Sequence, residues 1–159
     1  MSFYAMFLAH CLLLAPSQSS DIPPELEPLQ GNWVVVKEIR NGRTVPADLL
    51  SKVTVTIVGK IVTASPAIFE QMGTDKSSSQ FVLDSKWITP VEITVDPSKN
   101  PAVIEFKTTK GPPVKMLGIY KLDGDKLSWA YAKKRPTTFE SKTGSDVYYR
   151  EMTRKKSEK

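Results

Sequence analysis

The chain has 159 residues, with 22 basic and 17 acidic side chains, 40% hydrophobic residues and 25% charged ones. That length points to one domain able to bury roughly 68–70% of its unfolded surface, and the composition excludes both wholesale disorder and a bundle of membrane helices. The net charge of +5 is largely terminal: without residues 154–159 the body holds 18 basic against 16 acidic side chains, a net +2 that is too weakly basic for a nucleic-acid surface.

Residues 3–15 are apolar apart from His10 and Cys11, and the chain then breaks into Pro16-Ser17-Gln18-Ser19-Ser20. The run is shorter than the about 20 apolar residues a transmembrane helix needs, but it suits the core of a secretory signal. Residues 1–20 are therefore read as an export signal, which implies a periplasmic or extracellular product with no integral membrane span after cleavage. Cleavage would remove the only histidine and the only cysteine. The mature chain would then lack an imidazole base, a thiolate, a disulfide and any Cys or His metal ligand, which excludes Ser-His-Asp, Cys-His and zinc-hydrolase chemistry. No cofactor or metal is expected. An enzyme would have to use carboxylate, lysine or tyrosine groups such as Glu105 or Tyr131.

Residues 21–27, with Pro23-Pro24, read as a stiff linker, and residues 26–30 as a short turn closing one end of the domain. Gly31 supplies a tight corner, Trp33 an apolar plug, and Val34-Val35-Val36 the start of a first strand. Asn41-Gly42 marks a turn and Pro46 begins one short helix over residues 46–50. Val53, Val55 and Ile57 then alternate with Thr54 and Thr56, the period-2 pattern of a half-buried strand. Gly59 turns the chain, residues 65–79 are irregular, and strands are expected around Phe81 and Leu83, around Val91, Ile93 and Val95, and over residues 103–107. The intervening Asp96-Pro97-Ser98 stretch reads as a turn in which Asp96 accepts backbone hydrogen bonds.

The best-defined hairpin runs from Met116 through Asp123-Gly124 to Tyr131. A loop at Asp123-Gly124 places Tyr120 opposite Leu127, Gly118 opposite Trp129 and Met116 opposite Tyr131. These side chains share one face, with the smallest residue against the largest ring, as a confined interior requires. Together the segments give an all-β fold: a single antiparallel up-and-down β-barrel of about eight strands over residues 28–152, with one short helix after the first strand and a basic tail at 153–159. Such a barrel either fills its interior with side chains or leaves room for one small ligand.

The candidate ligand-binding residues are Met116, Tyr120, Trp129 and Tyr131, joined by Phe106 of the preceding strand; packed core is the competing reading. Alternation from Trp33 through Val35 places Lys37 on the inward face as well, where its charge must reach water, a partner or a bound anion. Arg135, beside Pro136, either fixes the approach to the last strand or holds a carboxylate.

Gly31-Asn32-Trp33 resembles the Gly-x-Trp opening of lipocalins and related calycin barrels. In those barrels a basic residue of the last strand packs on the tryptophan, and the resemblance assigns that role here to Arg150 in Val147-Tyr148-Tyr149-Arg150, a structural set with Gly31 and Trp33. The wider series is Leu29-Gln30-Gly31-x-Trp33, Asn41-Gly42, Asp96-Pro97 with Pro101, Gly118-Ile119-Tyr120-x-Leu122-x-Gly124-Asp125-x-Leu127 and Arg135-Pro136-x-x-Phe139. In this order it resembles an uncharacterised lipocalin-like domain family expanded in Planctomycetes. Ala130 stands where members of that family often carry cysteine, so no role of such a thiol carries over. The functional expectation is an exported, monomeric, non-catalytic barrel for a small apolar or amphipathic ligand. The alternative is an extracellular or envelope interaction domain with a filled barrel, and the third class is an enzyme.

Overall fold

The computed structural model describes residues 22–51, 53–65 and 90–156. The expected export signal and the strand at Phe81 and Leu83 lie outside them. The linker is shorter than the sequence suggested, because a 3₁₀ turn already starts at Pro24 and runs over Pro24–Leu29. Proline fits the first positions of such a turn because its missing N–H has no partner there to lose. Leu26 and Leu29 are buried by it, and the Trp33 indole Nε1 donates to the Leu29 carbonyl at 2.9 Å. The turn therefore caps one end of the domain directly above the tryptophan.

The strands are β1 (Gly31–Arg40), β2 (Arg43–Thr44), β3 (Thr54–Val58), β4 (Ile61–Ala64), β5 (Val91–Asp96), β6 (Ala102–Thr108), β7 (Lys115–Asp123), β8 (Lys126–Ala132) and β9 (Tyr148–Arg154), with helix α1 at Ala47–Leu50. From β3 to β9 each strand pairs antiparallel with the next, and β1 pairs with both β3 and β9, which closes an eight-stranded barrel. β2 is only a short arm on β1. Closure leaves no long free edge, and alternation along each strand fills the interior with Trp33, Val55, Ile57, Ile93, Ile104, Phe106, Leu127, Trp129 and Met152. The expected helix after the first strand is present as α1, which follows Pro46 and buries Leu50.

Two registers differ from the sequence reading. The β7–β8 loop is Gly124-Asp125, not Asp123-Gly124, because Asp123 pairs with Lys126. Gly124, at φ 55, takes the left-handed conformation at the first loop position, where a type II′ hairpin turn favours glycine. Tyr120 therefore faces Trp129, Gly118 faces Tyr131 and Leu122 faces Leu127. Each partner moves by two residues, so every side chain keeps the expected face. Gly118 is still relief for a ring-bearing neighbour: a Cβ there would come within 2.7 Å of the Ala130 carbonyl and 3.1 Å of the Tyr131 Cβ.

The second difference changes the face. Between Val35 and Lys37 the β1–β9 ladder shifts, since Val35 pairs with Met152 but Lys37 with Glu151, leaving Val36 as an extra residue. This β-bulge inverts the alternation beyond it. Lys37 points outward and Glu38 points in, 1% exposed. The basic tail is also shortened, because β9 continues through Arg154.

Candidate functional site

The barrel interior is where most of the side chains singled out in the sequence meet. Its middle is a run of rings. Phe106 of β6 meets Trp129 edge-on with centroids 5.3 Å apart and Tyr131 at 5.2 Å, and Tyr131 stacks on Tyr148 at 5.3 Å with the planes only 6° apart. Met116 pairs with Phe106 across β6–β7. Offset and edge-on contacts of this kind contribute about 0.5–1.5 kcal/mol per pair beyond the area they bury. Burial pushes the Tyr131 phenol up to about 12, so it remains a neutral donor at physiological pH.

Beside the rings lies a charged cluster made by the bulge. Glu38 Oε2 accepts from Arg150 Nε and Nη2, both at 2.9 Å, and its other oxygen is held by Arg40. The Arg40 guanidinium lies 6.0 Å from the Tyr148 ring centroid. Burial pushes the Glu38 carboxyl up, but Arg150 and then Arg40 outweigh it and hold the group below its ordinary value. Burial opposes the charge on Arg150 too, and Glu38 more than offsets this, raising the guanidinium above its ordinary value. A carboxylate shared by two guanidiniums is the arrangement in which buried charges keep each other ionised.

The structure separates several residues that the sequence grouped. Phe106, Met116, Trp129 and Tyr131 do share the interior. Tyr120 faces Trp129 in the ladder and also lines a solvent-open groove of about 550 Å³ beside the 3₁₀ turn, with Pro28, Pro97, Pro101, Leu122 and Phe139. Lys37 does not line the interior: it reaches Glu151 at 3.4 Å and lies 5.8 Å from the Tyr149 ring on the outer face. Nor does Arg150 pack on Trp33. That place belongs to Arg154, whose guanidinium carbon is 4.2 Å from the indole centroid. Arg154 also donates to the carbonyls of Pro28 and Gln30 and pairs with Asp125 at 3.1 Å. Gly31, at φ 115, brings the chain past this guanidinium; a Cβ there would meet Arg154 Nη1 at 3.3 Å.

The outer face accounts for the remaining candidates. Arg135 holds the Glu105 carboxylate at 2.8 Å, and Lys115 holds its other oxygen at 2.6 Å. Glu105 lies on the outer wall and Tyr131 in the interior, so the two side chains named as examples for an enzyme occupy different faces. Asp96 accepts from the Ser98 backbone N–H at 3.0 Å and from the Ser98 hydroxyl, the turn role expected of it. Among the described residues no three His, Cys, Asp or Glu side chains gather into a metal-holding group, and no helix is long and apolar enough to cross a membrane.

Sequence reasoning missed Glu38, Arg40, Tyr148 and Arg154. Glu38 and Arg40 were hidden by the bulge, which has no proline or glycine to announce it. Arg154 was hidden among the lysines of the tail.

A closed antiparallel β-barrel of eight strands is compatible with a lipocalin-like fold. Comparison with known proteins finds no matching family model, no matching curated protein and no matching solved structure.

Proposed function

We propose that this protein is an exported, monomeric, non-catalytic barrel that binds one small apolar or amphipathic molecule, a lipocalin-like domain of the kind its Gly31-Asn32-Trp33 opening and hairpin series resemble. The observation that carries the reading is an interior in which rings and charges stand side by side: Trp129 is paired with Arg150 and Tyr131 with Tyr148, and Glu38 and Arg40 follow on the next strand. An amphipathic molecule has the same mixture, and a wall of rigid rings with a few placed polar groups is the usual lining of a small-molecule site.

Native mass spectrometry of the protein purified from the cells that make it tests this reading. The expected result is a folded species heavier than the chain by one small molecule, with an intact mass that begins after residue 20. A bare chain, together with no saturable binding of a fluorescent fatty-acid probe, would overturn it. One observation favours the second reading, a side-chain-filled interaction domain. The contacts from Phe106 to Trp129 and Tyr131, and from Tyr131 to Tyr148, are close enough to be core packing alone.

A further inference from the structure

A second place for a small molecule lies at the capped end, apart from the packed rings. The groove of about 550 Å³ beside the 3₁₀ turn has the size of a small-molecule site, and Phe106, Trp129 and Tyr131 take no part in its lining. Pro28, Pro101 and Leu122 form an apolar wall, and Tyr120 and Phe139 add ring surface. Proline has no side-chain rotamers to freeze, so much of this wall is in place before anything binds.

Two polar groups of the lining are without partners. Tyr120 is 7% exposed, yet its hydroxyl has no hydrogen-bond partner among the described residues. The buried side-chain atoms that are both unpartnered and closed off are Trp129 Nε1 and Arg135 Nε; the Tyr120 oxygen is not one of them, so the groove reaches it. Glu25, in the first turn of the 3₁₀ segment, lines the same groove and forms no ion pair among the described residues. A phenol and a carboxylate left open beside apolar surface are acceptors for a ligand that donates.

The neighbours decide the charge of that ligand. Burial, and after it the negative charges of Asp96 and Glu25, push the Tyr120 phenol above its ordinary value, and the two charges mark a negative field at the hydroxyl. Asp96 itself is committed to Ser98 and Lys99. Lys121 also lines the groove, but it is exposed on the outward series of β7 and borders the hollow around Tyr149 and Glu151, whereas Tyr120 and Leu122 belong to the inward series. An anion would meet repulsion at Tyr120; a cation meets attraction from Glu25 and from the ring faces.

We propose that the groove binds a small organic cation, a protonated amine on a short apolar body. Its N–H groups donate to Tyr120 Oη and to the Glu25 carboxylate, and its body lies along Pro28, Pro101 and Leu122. This site is independent of any molecule in the ring interior.

The test titrates the whole protein at low salt with three probes of equal chain length: hexylammonium, 1-hexanol and hexanoate. Location is read from the methyl resonances of Ala102 and Leu122 in the groove, against those of Ile104 and Leu127 in the interior. The expected result is that hexylammonium binds about tenfold more tightly than 1-hexanol and moves Ala102 and Leu122, while Ile104 and Leu127 stay. Glu25→Gln, at an exposed position, should bring hexylammonium down to the affinity of 1-hexanol, and Tyr120→Phe should weaken it about three- to tenfold. Should Tyr120→Phe fail to fold, Glu25→Gln decides. Added salt should weaken hexylammonium and leave 1-hexanol unchanged. Tighter binding of hexanoate, equal affinities for the three probes, an unaffected Glu25→Gln variant, shifts confined to Ile104 and Leu127, or no hexylammonium binding at millimolar concentration would each overturn the cation site. Those outcomes leave the interior reading standing, since it is judged by the mass of the protein from its own cells and by the fatty-acid probe.

Discussion

Arg150 and Arg154 lie on the same face of β9, yet they meet opposite circumstances. Arg154 stands at the capped end, its side chain 31% exposed, over the Trp33 ring and tied to the carbonyls of Pro28 and Gln30. Arg150 stands deeper, its side chain 9% exposed, and is held by the carboxylate of Glu38. A guanidinium that keeps contact with water can be satisfied by a ring face and neutral carbonyls; one that loses water needs a countercharge. The capped end therefore acts as a structural clamp, and the deeper region keeps a polar cluster inside an otherwise apolar barrel.

The largest effect should come from the clamp itself. Trp33→Ala removes a fully buried indole and its hydrogen bond to Leu29, and is expected to cost about 3–5 kcal/mol in denaturant unfolding. A near-neutral result would show that the capped end does not anchor the barrel. Next comes the buried cluster. Glu38→Gln leaves two guanidiniums facing each other without their carboxylate, and a loss of about 3 kcal/mol is expected.

The same residue predicts a pH dependence. Glu38 is held below its ordinary value of 4.5, so its contribution is present above that pH and is lost as pH falls through the lower, folded-state value. Unfolding free energy measured from pH 7 down to pH 3 should fall more steeply for the natural chain than for Glu38→Gln. Parallel curves would mean that Glu38 is not the group responsible. Arg154→Ala should cost less than Trp33→Ala or Glu38→Gln, about 1–2 kcal/mol, because water can replace part of what the guanidinium holds. An Arg150→Ala variant milder than Arg154→Ala would reverse the assignment of clamp and buried partner. Smallest of all, Lys37→Ala is expected to change stability by less than about 0.5 kcal/mol, since its pair with Glu151 lies in solvent.

Much of the barrel was legible in the chain. Val53, Val55 and Ile57 in β3, and the hairpin from Met116 to Tyr131, declare their buried face through a period of two, which holds wherever the ladder is regular. That is why a two-residue shift in the hairpin pairing cost nothing in the choice of interior residues, and Phe106, Met116, Trp129 and Tyr131 were correctly gathered on the inward face. Gly31 and Trp33 were equally legible, because a corner and a plug are local demands.

What the sequence determined by itself, then, was the class of fold, the capped end and the aromatic wall, all of which follow from patterns spanning a few neighbouring residues. Only the tertiary structure decided the electrostatics. One extra residue at Val36 turned Lys37 out and Glu38 in, and the position is tenable because Arg150, more than a hundred residues away in the chain, arrives on the neighbouring strand to meet the carboxylate. A bulge has no local signature here, and a buried charge is stable only with a partner that closure of the barrel brings to it.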